Sequence, residues 1–302
     1  MDRGRLAGGH PELSRIATRL TRLSAILGAV FTAGAAQAVC GPLEDRVCEI
    51  ASGTYHIELP ESPVGAPALM FLHGAGSSGQ SVLGLRGMVE TARARGYAVL
   101  APDGVTREGR NGRGWNFHPL RPPSRDEIAF LTAVRDDAAA RFGIDGDAVI
   151  LGGFSIGGSM TAYVACSAPD AFAAYAPLAG NVWRPHPESC AGPVRMLHVH
   201  GWTDGTVPLE GRILRGVGSG IDPNEPGVFA QGDVFQALEL WRMTNACTHN
   251  ARSFRRTETY WLRSWQDCSP GAELTFALFD GGHSVPRGWA DLVLDWAEDG
   301  AR

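Results

Sequence analysis

The sequence of 302 residues contains no lysine, so all 27 of its non-histidine basic residues are arginine. A Walker-type phosphate loop, a Schiff-base enzyme and a serine-lysine dyad each require a lysine. These three kinds of site are therefore excluded. The sequence also lacks a C-x-x-C motif and any cluster of histidines near its cysteines, so we expect no metal site.

A long membrane-spanning run is missing as well. The apolar run at residues 23–35 is too short to cross a bilayer and is interrupted by Gly28 and Gly34. It follows five arginines and precedes the small-residue segment A-Q-A at 36–38, which is typical of a secretory signal. We therefore expect a signal peptide at 1–38, a single catalytic domain at 39–302, and a secreted or periplasmic protein without a membrane anchor after cleavage.

Net positive charge is also absent. Without residues 1–38 the chain has 22 arginines and 30 acidic side chains, a net charge of −8. With this net charge, nucleic acid is not an expected partner.

All six cysteines lie after the predicted signal, and an even number in an exported chain favours three disulfides. Fifteen pairings are possible, and the sequence does not choose among them. We favour pairing of neighbours because each pair would flank one connection: Cys40–Cys48, Cys166–Cys190 and Cys247–Cys268.

Short apolar runs alternate with helical segments along the chain. The predicted strands are 54–59, 68–72, 97–101, 148–153, 172–178, 194–199 and 274–279, and the main predicted helices are 80–95, 126–141, the segment after residue 155, and 289–297. This order predicts an α/β fold with a mostly parallel central sheet and helices on both faces. The Gly- and Pro-rich segment 211–232 is predicted to be an inserted loop whose role is open.

The segment G-F-S-I-G at 153–157 stands where an apolar strand turns into a helix. Small residues allow that sharp turn, which raises the hydroxyl of Ser155 above the sheet. A G-x-S-x-G string also occurs in ordinary glycine-rich turns. The strand before it and the helix after it favour a nucleophile.

A serine hydroxyl needs a base and an acid to orient that base, and in this architecture the acid precedes the histidine. Asp204 and His283 each follow a predicted strand, where open α/β sheets place their sites. Asp280 and Asp233 are alternative acids, although Asp233 resembles a helix cap.

Two histidines, His198 and His200, lie on one face of a predicted strand and could suggest a metal pair. No third ligand is evident, so a hydrogen-bonded structural role is favoured.

The oxyanion of an acyl-transfer intermediate needs backbone donors, which we assign to Ile156 and to Ala75 in the loop H-G-A-G at 73–76. An ordinary turn is the alternative for that loop. The predicted substrate contacts are His73 and three tryptophans on loops after strands, Trp115, Trp183 and Trp202. Tryptophan packs at the base of a loop about as often as it grips a ligand.

Taken together, these motifs resemble the secreted polyhydroxybutyrate depolymerase and feruloyl esterase family of α/β-hydrolases. The similar segments are L-H-G at 72–74, P-D-G at 102–104, 126–141, 153–158, 200–208 and G-G-H at 281–283. The resemblance covers nearly all of residues 39–302. Two positions depart from the family pattern, since Val285 stands where a tryptophan is common and Ile156 replaces the commoner alanine.

The resemblance implies a serine esterase that forms an acyl-enzyme and requires no cofactor. We expect hydroxyalkanoate oligomers or short-chain esters as substrates, with feruloyl or acetyl groups on plant cell-wall polysaccharide as the alternative. A catalytically silent binding protein on the same fold is the rival from another class. The oligomeric state is not predicted.

Overall fold

A computed structural model of the chain describes residue 40 and residues 47–106, 112–118, 120–215 and 228–299. The strands are β1 (Cys48–Ile50), β2 (Gly53–Glu58), β3 (Ala68–Leu72), β4 (Ala98–Pro102), β5 (Val105–Thr106), β6 (Arg113–Gly114), β7 (Val149–Phe154), β8 (Ala174–Leu178), β9 (Arg195–Gly201), β10 (Ile213–Arg215), β11 (Phe229–Ala230), β12 (Ser253–Arg256), β13 (Tyr260–Trp265) and β14 (Glu273–Phe279). The helices are α1 (Gly79–Leu83), α2 (Arg86–Ala94), α3 (Glu127–Phe142), α4 (Ile156–Ser167), α5 (Val234–Thr244) and α6 (Trp289–Asp299), with short 3-10 turns at Gly146–Ala148 and Pro169–Ala171.

Ten strands form one sheet in the order β1-β2-β4-β3-β7-β8-β9-β14-β13-β12. The six central strands from β4 to β14 are parallel, and antiparallel strands complete both edges. The predicted α/β fold with a mostly parallel sheet is therefore confirmed. Parallel strands need crossover connections, and the helices provide them on both faces of the sheet.

Alternate residues of the buried strands pack into two separate cores. In β3, Met70 and Leu72 join the core that contains α3, α4 and α5, whereas Leu69 and Phe71 join the core that contains α1, α2 and α6. Both faces of β3 are thus covered, which explains why its sequence is continuously apolar rather than alternating.

The structure differs from the sequence prediction in several elements, and the short strands β1, β5 and β6 were not among the predicted ones. The helix predicted at 80–95 is divided into α1 and α2, because α1 ends at Gly84 and α2 begins after Leu85. The hairpin of β12 and β13 was not predicted, since its exposed strands are rich in arginine and lack a long apolar run.

The segment predicted as an inserted loop contains the small antiparallel pair β10 and β11, and its residues 216–227 lie outside the described residues. The predicted signal peptide at 1–38 also lies outside them. None of the helices that are described is long and apolar enough to cross a bilayer.

The structure pairs all six cysteines as neighbours along the chain: Cys40–Cys48, Cys166–Cys190 and Cys247–Cys268. This is the pairing that the sequence analysis favoured. The bridge from Cys247 connects the end of α5 to the segment just before β14, and each bridge restricts the unfolded chain locally.

Asp103, directly after β4, connects three other elements: β2, the start of α1, and β6. Its carboxylate accepts hydrogen bonds from the Thr54 hydroxyl and the Gly79 backbone N–H, and it lies 3.4 Å from both His56 Nε2 and Arg113 Nε. Burial by itself raises the pKa of Asp103, but these hydrogen bonds and the arginine charge lower it to about 2.

We expect Asp103→Asn to lower the free energy of unfolding at pH 7 by about 2 kcal/mol, the value of a pKa shift of this size. The folded-state pKa lies below the ordinary value, so this contribution is complete above about pH 4 and is lost as the pH falls toward 2. Urea unfolding of both proteins at pH 7, 4 and 3 measures the difference, which should shrink in acid. The exposed Asp147→Asn is the control, and a difference that stays constant with pH would contradict the assignment.

Candidate active site

The four segments singled out for chemistry lie at one edge of the sheet. They follow β3, β7, β9 and β14, which are parallel strands within the sequence of neighbours β3-β7-β8-β9-β14. Because parallel strands end at the same edge, His73, Ser155, Asp204 and His283 come together although they are far apart in the sequence.

The nucleophile turn connects β7 to α4 at Ser155, which has a φ of 59°. Such a left-handed conformation is costly for a residue with a side chain and needs support from its surroundings. The flanking glycines supply room: a Cβ on Gly153 would lie 2.5 Å from the Gly157 carbonyl oxygen, and one on Gly157 would lie 2.3 Å from the Leu72 carbonyl oxygen. The G-x-S-x-G spacing is therefore a packing requirement at this turn.

The three predicted catalytic side chains form one hydrogen-bonded chain. His283 Nε2 lies 2.9 Å from Ser155 Oγ, and His283 Nδ1 lies 2.8 Å from Asp204 Oδ2. With the Nδ1 proton donated to Asp204, the Nε2 lone pair faces the serine hydroxyl. This arrangement lets the imidazole take the proton of Ser155 during attack on a carbonyl carbon.

Asp204 is held as an anion by its loop. Its Oδ1 accepts hydrogen bonds of 2.8 Å from the backbone N–H groups of Thr206 and Val207, and its Oδ2 accepts the one from His283. Burial favours the neutral acid, yet these three donors outweigh it and lower the pKa of Asp204.

Neither alternative acid is the hydrogen-bond partner of His283, which is Asp204. Asp233 caps α5 by accepting from the backbone N–H groups of Phe235 and Gln236, as its sequence context indicated, and Asp280 is exposed to solvent.

His198 and His200 form a buried pair beneath the acid rather than a metal site. His200 Nε2 donates to the Val207 carbonyl oxygen at 2.8 Å, and its Nδ1 accepts from His198 Nε2 at 3.1 Å. Burial lowers the pKa of both imidazoles, so the pair is neutral and supports the turn that carries Asp204. Among the described residues there is no group of three or more potential ligands that could hold a metal.

The loop after β3 passes directly beside the nucleophile. A Cβ on Gly74 would lie 3.5 Å from the Ser155 Cβ, and the loop is fixed by the hydrogen bond from Gly76 N–H to the Arg113 carbonyl oxygen. Ile156 N–H stands at the first position of α4, where a backbone donor has no intrahelical acceptor. The Ala75 and Ile156 donors remain our assignment for the oxyanion hole.

His73 supports this loop and is almost completely buried. Its Nδ1 donates to the Gly74 carbonyl oxygen at 2.8 Å, and its Nε2 accepts from the Gly104 backbone N–H at 2.9 Å. Burial lowers the pKa of His73, which agrees with this neutral form. Both ring nitrogens already have protein partners, so the side chain positions the loop instead of offering a free group to substrate.

The three tryptophans on the rim differ in exposure. Trp115 is fully buried and donates its indole N–H to the His73 carbonyl oxygen, and Trp183 is 7% exposed with its indole N–H 3.3 Å from Ser159 Oγ. Trp202 is 54% exposed and precedes the acid loop. Of the three, Trp202 alone presents a large apolar surface to solvent beside the triad.

Sequence reasoning missed Ser159 and Tyr163, which stand one and two turns along α4 from the nucleophile. Ser159 Oγ accepts from the Asn181 backbone N–H and from Trp183, and the Tyr163 hydroxyl accepts from the Trp183 backbone N–H at 2.9 Å. The spacing of these two residues on α4 was the available signal, since both point toward the loop after β8.

A model of the prolyl oligopeptidase family matches residues 84–183. That segment contains the nucleophile turn but neither Asp204 nor His283. It covers about a third of the chain.

Two curated relatives and one solved structure are similar over larger regions. A putative esterase, NocK, of Nocardia uniformis subsp. tsuyamanensis is 33% identical over 50% of this chain, although the match spans only 44% of that protein. A probable feruloyl esterase C of Aspergillus terreus is 26% identical over 90% of both chains. An acetyl xylan esterase from Aspergillus awamori superposes with a TM-score of 0.59 and 15% identity, over 84% of this chain and 98% of its own.

The chain has the α/β-hydrolase fold and is similar in sequence to esterases. The resemblance to feruloyl esterases is confirmed by these relatives, and they support a serine ester hydrolase. No polyhydroxybutyrate depolymerase is among the three proteins described, so that part of the family resemblance stays a prediction.

We expect Gly157→Ala to abolish esterase activity and to lower the melting temperature, because the new methyl group would collide with the backbone of β3. Gly87→Ala is the matched control: it lies in α2, a Cβ there meets nothing within 4 Å, and alanine favours a helix by about 0.5–1 kcal/mol. Thermal unfolding and hydrolysis of p-nitrophenyl acetate measure both effects. Equal behaviour of the two variants would contradict the packing argument.

Proposed function

We propose that this α/β-hydrolase is an exported serine esterase that releases acyl groups, feruloyl or acetyl, from plant cell-wall polysaccharide. The observation that carries the proposal is the chain of hydrogen bonds of 2.9 Å and 2.8 Å from Ser155 through His283 to Asp204. Hydrolysis of hydroxyalkanoate oligomers or short-chain esters is the second candidate, because Ile156 and Val285 depart from the family pattern on the acyl side of the pocket.

The reaction begins when Ser155 Oγ attacks the ester carbonyl and His283 takes its proton. The tetrahedral oxyanion accepts hydrogen bonds from the backbone N–H groups of Ile156 and Ala75, each worth about 100- to 1000-fold in rate. His283 then protonates the leaving alkoxide, and an acyl-enzyme forms on Ser155. Water, deprotonated by His283, attacks the acyl-enzyme, and the bond between Ser155 Oγ and the acyl carbon then breaks as His283 returns the proton to Oγ and the carboxylic acid is released. Asp204 remains ionised throughout and stabilises the imidazolium.

A substrate on cell-wall polysaccharide is supported by the feruloyl esterase relative that matches 90% of the chain. The exposed indole of Trp202 supports it as well. The Trp202 backbone N–H is hydrogen-bonded to the Phe279 carbonyl oxygen, so the residue lies between the acid loop and the strand that leads to His283. A flat aromatic surface at this position suits a phenolic acyl group or a sugar ring.

Export is supported by the three disulfides, which persist in oxidising compartments. The N-terminal segment, with five arginines followed by an apolar run, also indicates export. Feruloyl and acetyl esters of plant polysaccharide are found outside cells, so compartment and substrate agree.

A fluorophosphonate probe tests the nucleophile. We expect the wild-type protein to be labelled and Ser155→Ala to resist labelling, with a loss of p-nitrophenyl acetate hydrolysis of at least about 10⁴-fold, as is usual when a triad member is removed. Circular dichroism of the variant controls for folding. If the folded wild-type protein is neither labelled nor active, it is a silent binding protein.

A substrate panel separates the candidate esters. We expect kcat/KM for methyl ferulate or acetylated xylan to exceed that for hydroxybutyrate oligomers, because the relatives that match most of the chain include a feruloyl esterase. A peptide p-nitroanilide belongs in the panel because one matching family model is named for oligopeptidases. Preference for hydroxybutyrate oligomers would favour the second candidate, and cleavage of the peptide would reject an esterase.

A further inference from the structure

The hairpin that the sequence did not predict forms one wall of a groove that none of Ser155, Asp204 and His283 lines. The groove has a volume of about 570 Å³ and lies between α5 and the face of β12, β13 and β14. It contains four arginines and a cluster of aromatic side chains. The residues that matter here are Phe235 on α5, Phe254 and Arg256 on β12, and Trp261, Arg263 and Trp265 on β13.

Strand register shows that these side chains share one face of the sheet. Phe254 stands opposite Arg263, and Arg256 stands opposite Trp261. Trp261 in turn pairs with Leu278 of β14, which packs toward the core beneath α5. Directly opposite residues lie on the same face, and so do alternate residues along a strand.

This face is open to solvent and strongly apolar. Phe254 is 65% exposed, Phe235 is 51% exposed and Trp261 is 43% exposed. Single exposed aromatic residues are ordinary on a protein surface. A cluster of them in an open groove marks a binding surface.

The charge of the groove is opposite to that of the whole protein. Residues 252–263 contain four arginines and one glutamate, whereas residues 39–302 have a net charge of −8. Among the described residues, Arg256 and Arg263 have no salt bridge with a carboxylate, and Arg263 lies over the Phe254 ring with its Cζ 5.0 Å from the ring centroid. The lining carboxylate Glu239 is already paired with Arg242. The groove therefore presents uncompensated positive charge.

We propose that this groove binds a polysaccharide that carries carboxylate groups, such as a uronic-acid chain, and holds it beside the active site. A pyranose ring has an apolar face that stacks on Trp261 or Phe254 and a carboxylate that Arg256 or Arg263 can bind. Nucleic acid also combines flat rings with negative charge. The polysaccharide is favoured because the proposed ester substrate is itself attached to a polysaccharide, and single-stranded DNA is the competing occupant in the test.

The position of the groove fits a polymer that also reaches the triad. Trp261 follows Tyr260, which pairs with Phe279 at the last position of β14, and His283 follows that strand four residues later. The exposed Trp202 is hydrogen-bonded to the same Phe279. The upper end of the groove thus lies at the catalytic edge of the sheet. Presentation of the bound polymer to the triad rests on the proposed function. Binding of the polysaccharide in the groove does not require turnover and can be tested separately.

Affinity electrophoresis in gels containing polygalacturonate tests the proposal. All proteins carry Ser155→Ala, so that binding is measured without turnover. We expect the parent protein to be retarded, Trp261→Ala and Arg263→Gln to bind at least about tenfold more weakly, and the distant Arg86→Gln to bind like the parent. Fully methyl-esterified pectin, which has the same backbone without charge, should retard the parent far less. Because Arg263 is exposed, its variant remains informative if Trp261→Ala does not fold.

Several outcomes would overturn the inference. These are equal retardation of all variants, equal retardation by the methyl-esterified polymer, or tighter binding to single-stranded DNA or to anionic phospholipid vesicles than to polygalacturonate. A parent that sediments as a dimer and becomes monomeric in Trp261→Ala would show that the groove pairs two copies. If the parent is not retarded although the protein that retains Ser155 hydrolyses esters, only the groove proposal is rejected. If the parent is retarded but the protein that retains Ser155 hydrolyses no ester, only the proposed function is rejected.

Discussion

The close approach between the nucleophile turn and the end of β3 is the constraint on which the rest of the site depends. Gly157 packs against the Leu72 carbonyl oxygen with no space for a side chain, and Ser155 accepts a left-handed conformation as a result. The same contact brings the loop at Gly74 beside the serine. One backbone contact therefore positions both the nucleophile and the donors that would face its oxyanion.

In the group formed by Asp204, His198 and His200, only Asp204 is charged. Asp204 is an anion held by three donors, while the buried His200 and His198 below it are kept neutral by desolvation. A protonated imidazole next to Asp204 would compete with His283 for the carboxylate. The neutral pair instead supports the carbonyl oxygen of Val207, whose N–H is one of the donors to Asp204. His198 and His200 thus support the loop that holds Asp204 and, because they are neutral, leave its carboxylate to His283.

Much of the fold was predictable because the central strands are local and strongly apolar. β3, β7 and β14 were predicted within one or two residues, and Asp233 was recognised as a helix cap, which the structure confirms. The hairpin of β12 and β13 was missed because exposed edge strands lack an apolar run. The sequence also could not separate the buried Trp115 from the exposed Trp202, since burial depends on which distant segments cover each loop.

By itself, the sequence determined the alternation of strands and helices, the tight turn around Ser155 and the identities of its partners, because each of these follows from local pattern and from the known order of acid and base. Only the tertiary structure decided that His73 supports a loop, that His198 and His200 are a neutral pair, and that arginines and aromatic residues of α5, β12 and β13 line one groove. The physical reason is that the role of a side chain depends on neighbours that the sheet brings together from distant parts of the chain. The order of the strands in that sheet cannot be predicted from any local sequence pattern.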